Sequence, residues 1–140
     1  MEISVDYQRS EYLEVLYDAY PIIAIYRKSG KLPTNQPICG FFTKILLTSI
    51  GSISFFFKKR AVGNCRFVFR ENSISRKSKS GDVSFEFSKV NYILVLSKSF
   101  LIDIGKGAMP VPYRCFNEGQ KYSFEKMYKE KIHNYQSNET

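Results

Sequence analysis

The chain has 140 residues, of which 44% are apolar and 24% are charged, with 21 Lys and Arg against 13 Asp and Glu. This length and composition are typical of one globular domain that buries a core, and they exclude a disordered chain. Three cysteines and one histidine are too few for a disulfide framework or a thiolate metal site. We therefore expect a single domain over residues 1–140, mainly helical in 1–61, with strands and a closing helix in 62–133 and a frayed tail at 134–140.

The N-terminal part begins with an alternating segment and then turns helical. Residues 3–7 predict a short strand. Ser10 is a candidate cap for a following helix, with Glu11 near its positive start, and Pro21 is expected to end or kink that helix. An acidic, alternating start is unlike a secretory signal, so we expect a cytoplasmic protein with reduced thiols.

Residues 37–57 form an apolar segment, PICGFFTKILLTSIGSISFFF, which has the length of a membrane span. Its apolar and polar side chains lie on opposite helical faces: Phe42, Leu46, Ile50, Ile53 and Phe57 against Lys44, Thr48, Gly51 and Ser52. We interpret the segment as an amphipathic helix that buries its apolar face on a sheet. The alternative is a spanning helix, for which the basic residues 58–60 place the C-terminal end in the cytoplasm.

From residue 64 the hydrophobic period changes to that of a strand. Six short strands with hairpin turns are predicted at residues 64–70, 73–79, 83–87, 90–96, 100–104 and 108–112. Pro110 and Pro112 cannot donate to a ladder, so the last of these strands should lie at an edge or contain a bulge. Asn117 is expected to cap a closing helix. This order predicts an α+β fold, an antiparallel sheet or half-barrel of about six strands with N-terminal helices and a C-terminal helix.

Three segments in this order resemble the C-terminal half of the YcxB-like family: FVFRENSI at 67–74, FEFSKV at 85–90 and AMPVPYRCF at 108–116. Residues 5–12 also resemble the N-terminal start of that family. The resemblance implies a small pleckstrin-homology-like half-barrel, which two membrane helices usually precede in the family. Here one apolar segment stands in their place, and Phe87 replaces the usual tryptophan. The family brings no established catalytic residues.

Basic residues concentrate in the middle third of the chain. Residues 27–81 hold twelve Lys or Arg and a single acidic residue. Such a block attracts an anionic partner, although a solvated basic surface has the same composition. The candidate partner-binding residues lie in the basic block 58–79: Lys58, Lys59, Arg60, Arg66, Arg70, Arg76, Lys77 and Lys79.

The sequence contains no constellation of residues typical of an enzyme. Cys115 precedes the predicted closing helix, where the helix dipole lowers the pKa of a thiol, but His133 would lie more than four turns further along. The simpler interpretation of Cys115 is a small apolar side chain. We expect no catalytic site, no cofactor, no metal and no small-molecule substrate.

We hypothesise a non-enzymatic protein-binding module, most concretely a cytoplasmic immunity protein that neutralises a cognate toxin by occlusion. The small size, the basic block, and the ten tyrosines and twelve phenylalanines motivate this hypothesis. One alternative is a membrane-associated YcxB-like protein held at the inner membrane through residues 37–57. A further alternative, ranked lower, is a nucleic-acid binder that uses the basic block 58–79.

Overall fold

The computed structural model describes residues 1–105 and 107–134. In these residues it has three α-helices and eight strands. The helices are α1 (Arg9–Ser29), α2 (Phe41–Val62) and α3 (Glu118–Met127). The strands are β1 (Glu2–Val5), β2 (Cys65–Phe69), β3 (Ser73–Ser78), β4 (Gly81–Glu86), β5 (Tyr92–Val95), β6 (Ser99–Asp103), β7 (Ala108–Pro112) and β8 (Ile132–Asn134). The α+β class is confirmed, whereas residues 135–140 of the expected tail lie outside the described residues.

The strands divide between two sheets. Sheet A has the order β1-β2-β3-β4 and is antiparallel throughout, and sheet B has the order β7-β6-β5-β8, in which β8 runs parallel to β5. Strand β7 lies at an edge of sheet B, which confirms the expectation from its two prolines. The closing helix stops at Met127, and β8 occupies residues for which the pattern predicts helix. Pairing with β5 gives hydrogen-bond partners to backbone N–H and C=O groups that would have none in a frayed last turn of helix.

The main core lies between the two sheets and is dominated by aromatic rings. Alternation along β2 places Phe67 and Phe69 on the inner face of sheet A, and both are fully buried. The ring centroid of Phe124, from α3, lies 5.0 Å from that of Phe69 and 4.5 Å from that of Phe100. The start of α3 is a capping box in which Asn117 accepts from the Gln120 backbone N–H at 2.7 Å, as its sequence position predicts.

Helix α1 covers the outer face of sheet B, which is therefore buried on both faces. Ala19 and Ile22 pack on this sheet on either side of Pro21, and α1 continues through the proline to Ser29. The expectation that Pro21 ends the helix is wrong, because this packing outweighs the hydrogen bond that proline cannot donate. The helix begins at Arg9, one residue before the expected Ser10 cap, and Gln8 makes no side-chain cap.

Helix α2 packs on α1 and forms the outermost layer, with its apolar face turned away from the protein. Gly51 is its one buried residue. The expected burial of the apolar face is wrong, since its five predicted members are 55–85% exposed: Phe42, Leu46, Ile50, Ile53 and Phe57. The reason is that α1 offers polar partners to the opposite stripe of α2.

Candidate functional site

The outward face of α2 is the largest exposed apolar feature of the described residues. Each of its eight side chains is at least half exposed: Phe41, Phe42, Ile45, Leu46, Ile50, Ile53, Phe56 and Phe57. Among the described residues, α2 is the one helix with the length and composition of a membrane span, and its mean hydropathy is 1.3. Soluble monomeric proteins rarely leave so long an apolar strip uncovered, so this face is a candidate for binding an apolar surface.

The inward face of α2 carries the polar side chains, which find partners on α1. The Thr48 hydroxyl hydrogen-bonds to that of Tyr17, and the ammonium of Lys44 lies 4.9 Å from the centroid of the Tyr17 ring. Arg9 donates from its Nε and Nη2 to the Ser52 hydroxyl at 3.1 and 2.9 Å. These contacts explain why α2 turns its polar stripe inward and its apolar stripe outward.

Gly51 sits at the point of closest approach between α1 and α2. A Cβ added there would lie 2.5 Å from Leu16 Cδ1 and 3.0 Å from Leu13 Cδ2. The absence of a side chain therefore lets two leucines of α1 pack directly on the α2 backbone. This contact holds α2 along the surface of the domain.

The C-terminal end of α2 is basic. Lys58 donates to the Tyr12 hydroxyl at 3.2 Å, and Lys59 donates to the Tyr7 carbonyl at 2.9 Å and pairs with Asp6 at 3.7 Å. Arg60 follows Phe42 by about five helical turns and so lies in line with the outward face. The sequence between Asp18 and Glu71 contains no acidic residue, so the charged side chains of α2 itself are all basic.

The structure distributes the other predicted partner-binding residues over several places. Arg66 and Lys77 are cross-strand neighbours on the outer face of sheet A, where Arg66 pairs with Glu2 at 3.1 Å. The backbone of Lys79 hydrogen-bonds to the Val62 carbonyl at 3.0 Å, which places it beside the end of α2.

Two members of the set lie apart from the others. Arg70 lies at the far end of β2, where its carbonyl accepts from the Tyr128 hydroxyl at 2.7 Å. Arg76 shares the inner face of β3 with Ile74. The eight residues therefore do not form a single patch.

A cavity of about 220 Å³ lies beneath the C-terminal end of α2, next to Arg76. Its walls come from β7, from the segment after β1, from β3 and from both long helices: Tyr7, Tyr12, Phe55, Lys58, Val62, Arg76, Ala108, Met109 and Pro110. The Tyr7 hydroxyl donates to the Pro110 carbonyl at 2.6 Å. Burial raises the pKa of Tyr7 well above its ordinary value, and burial also raises the pKa of the Cys65 thiol close to it. Both groups are therefore neutral at physiological pH.

The cysteine considered as a nucleophile has an unfavourable environment for that role. Cys115 ends a short 3₁₀ turn and is half-buried, and burial raises the pKa of its thiol despite the neighbouring Arg114. A protonated thiol is a weak nucleophile. Within residues 1–105 and 107–134, no cluster of three or more His, Cys, Asp or Glu side chains has the arrangement of a metal site.

Comparisons with models of protein families, with curated proteins and with solved structures found no match. The candidate sites therefore rest on geometry. The sequence showed the two faces of α2 correctly but not which face the fold covers, and it missed the cavity. One sequence signal could have indicated it. Arg76 follows Ile74 by two residues, so alternation along the strand places a charged side chain on the same face as the apolar Ile74.

Proposed function

We propose that this protein is a non-enzymatic binding module that attaches to a membrane surface through the outward face of α2. The observation that carries the proposal is the continuous strip of eight exposed apolar side chains on a helix whose polar side chains are already paired with α1. A bilayer supplies an apolar surface long enough to cover the whole strip.

The free energy available from this face is large enough for attachment. Complete burial of one Leu, Ile or Phe side chain is worth about 1.5–3 kcal/mol, so eight half-exposed ones supply on the order of 8 kcal/mol. Each Lys or Arg close to an anionic leaflet adds about 1 kcal/mol. Lys58, Lys59 and Arg60, at the C-terminal end of α2, are the residues from which we expect this electrostatic contribution.

The chemistry of the face favours lipid over a protein partner. Protein interfaces carry about one hydrogen bond for each 100–200 Å² of buried area. The outward face offers one hydroxyl, that of Ser49, and this group already donates to the Ile45 carbonyl at 3.2 Å. A face whose central part offers only one hydroxyl gives little specificity for a protein but matches the apolar region of a bilayer.

The packing of α2 favours a helix that lies in the plane of the membrane. Its inward face is held on α1 by Gly51 and by the hydroxyl pairs, and α1 in turn packs on sheet B. Crossing the bilayer would separate α2 from these partners or draw the charged side chains of α1 into hydrocarbon. An interfacial helix with an apolar outer face and a basic C-terminal end avoids both costs.

The resemblance to the YcxB-like family supports the same proposal. In that family membrane helices usually precede the pleckstrin-homology-like unit, and α2 occupies the corresponding position before β2. The proposed location is the cytoplasmic surface of the inner membrane, with the two sheets on the aqueous side.

The experiment that tests attachment is flotation of the full chain with vesicles in a density gradient. We expect the chain to float with vesicles of phosphatidylglycerol and phosphatidylcholine, and more weakly with phosphatidylcholine alone. The double variant Ile50→Ser, Ile53→Ser should remain at the bottom, because it removes apolar area from the centre of the face.

A matched control removes exposed apolar area elsewhere, through Val83→Ser together with Tyr122→Ser. This control should float like the unmodified chain. The proposal fails if the unmodified chain does not float with anionic vesicles, or if both double variants reduce flotation equally.

The second candidate function is the immunity protein, in which a toxin would cover the outward face. The exposed aromatic rings of Phe56 and Phe57 favour it, because aromatic side chains are common anchors at protein interfaces. Its test is co-purification of the tagged chain with the products of its two flanking genes, without detergent. A stoichiometric complex that Ile50→Ser, Ile53→Ser abolishes, together with no flotation, would favour this function over the first.

A further inference from the structure

We propose that the cavity beneath α2 binds an anionic group that carries an apolar chain, with Arg76 as the residue that binds the anion. The proposal goes beyond membrane attachment, because the cavity lies on the inner side of α2 and its occupation is measured without a membrane. The ligand is therefore a single-chain alkyl phosphate or carboxylate, or the corresponding end of a lipid.

The first observation is that the fold leaves part of Arg76 without a partner. Its Nε is buried and has no hydrogen-bond acceptor in the described residues. No carboxylate of these residues lies within 4.0 Å of its guanidinium. A buried donor without an acceptor costs about 1–3 kcal/mol, and more when the group is charged. An anion in the adjacent cavity would supply the missing acceptor and offset this cost.

The second observation is that the other polar groups around the cavity are already engaged. The Tyr7 hydroxyl donates to the Pro110 carbonyl, and the Tyr12 hydroxyl accepts from Lys58. The wall of the cavity contains no acidic residue, so Arg76 and Lys58 make the cavity cationic. A guanidinium binds the two oxygens of a carboxylate or phosphate with paired N–H donors, and the unpartnered Nε of Arg76 is one such donor.

The third observation is the apolar remainder of the wall. Phe55, Val62 and Met109 line the cavity together with Ala108 and Pro110. Its volume, about 220 Å³, exceeds the roughly 150 Å³ of an engineered cavity that holds benzene and is below the roughly 300 Å³ at which drug-sized sites begin. The cavity therefore fits an anionic group with a few attached carbons.

The test is a calorimetric titration of hexyl phosphate into the full chain in the absence of vesicles. We expect saturable binding of one molecule per chain. Inorganic phosphate and 1-hexanol should each bind at least tenfold more weakly, because inorganic phosphate lacks the alkyl chain and 1-hexanol lacks the anionic group.

Variants separate the contribution of Arg76 from that of general charge. Arg76→Gln should weaken binding of hexyl phosphate at least tenfold, whereas Lys98→Gln, which removes the same charge at an exposed turn, should leave it unchanged. Ala108→Leu narrows the cavity from an exposed position on the edge strand β7 and should also weaken binding. Because this second variant leaves Arg76 in place, the test stays informative if Arg76→Gln alters the fold.

Three results would overturn the proposal: no saturable binding of hexyl phosphate, equal binding by Arg76→Gln, or equally tight binding of 1-hexanol. Two further arms identify the source of the ligand. Displacement of hexyl phosphate by phosphatidylglycerol vesicles assigns the site to a membrane lipid, and its absence assigns the site to a free amphiphile. The variant Ile50→Ser, Ile53→Ser should still bind hexyl phosphate, so a failure of membrane attachment is distinguished from a failure of this site.

Discussion

At the scale of single residues, one half-buried ion pair fixes the start of α1. Glu11 is nearly fully buried, and both of its carboxylate oxygens accept from Nε of Arg114, at 2.9 and 2.8 Å. The hydrogen bond to Glu11 raises the pKa of Arg114 further. Arg114 also donates to the Asp6 carbonyl. This pair ties the first turn of α1 to the turn before α3, a contact between residues too far apart in the chain for local patterns to predict.

Two buried and two half-buried tyrosines make the stability of the protein sensitive to alkaline pH. Burial raises the pKa of Tyr7, Tyr92, Tyr113 and Tyr128 above the ordinary value. A group whose pKa is higher in the folded state stabilises the fold fully below its unfolded pKa, near 10, and loses this contribution as the pH rises. We therefore expect the free energy of unfolding to fall above about pH 10, by up to about 1.4 kcal/mol per pH unit for each tyrosine.

Urea unfolding measured from about pH 8 to about pH 11 gives this slope, because the range lies on both sides of the unfolded tyrosine pKa, near 10. Tyr128→Phe should show a shallower decline than the unmodified chain, after a loss of about 1 kcal/mol at pH 8 from the missing hydrogen bond to the Arg70 carbonyl. Tyr122→Phe, at an exposed position, is the control and should keep the original slope. Identical slopes for all three proteins would show that ionisation of Tyr128 does not contribute to the loss of stability.

At the scale of elements, the helix pair shows what a sequence pattern does and does not determine. Periodicity identified α2 and both of its faces, and alternation located β2 to β7. The direction of the faces depends on α1, because Arg9 donates hydrogen bonds to Ser52 of the polar stripe of α2 and the Tyr17 hydroxyl pairs with that of Thr48. Such pairing is a tertiary contact, and nothing in the local pattern of α2 specifies it.

The close contact between the two helices at Gly51 leads to a prediction about stability. Gly51→Leu places a side chain where Leu13 and Leu16 already lie, and overpacking of this kind typically costs about 1–3 kcal/mol. Ser49→Leu introduces the same residue two positions away on the outward face, and we expect a change within about 0.5 kcal/mol. Urea unfolding compares the two variants, and equal stabilities would show that α2 does not pack on α1 through Gly51.

At the scale of the whole molecule, the apolar outer surface lies on one helix. The two sheets enclose the aromatic core, α1 covers the other face of sheet B, and α2 packs on α1 and reaches sheet A only at its C-terminal end, where the Val62 carbonyl accepts from the Lys79 backbone N–H. The outer face of sheet A carries Glu2, Arg66 and Lys77, so that side is suited to water. This asymmetry gives the molecule one polar and one apolar side, as expected of a protein that rests on a membrane.

The sequence predicted the fold class and most elements because these depend on local periodicity and on turn residues such as Gly81, whose φ of 128° suits the turn between β3 and β4. It did not predict β8 or the passage of α1 through Pro21, because pairing with β5 and packing on sheet B decide them. The cavity was not predicted either: Arg76 has a local signal, but the walls come from five separate parts of the chain. These features require the three-dimensional arrangement.

Tryptophan fluorescence reports whether the outward face of α2 enters the lipid surface. The chain contains no tryptophan, so Ile53→Trp introduces a single reporter at the centre of this face, and Val83→Trp introduces one on sheet A as the control. On addition of vesicles of phosphatidylglycerol and phosphatidylcholine, we expect the emission of Ile53→Trp to shift to shorter wavelength and to be quenched by brominated acyl chains, with no change for Val83→Trp. Unchanged, unquenched emission from Ile53→Trp, or equal quenching of both reporters, would contradict the claim.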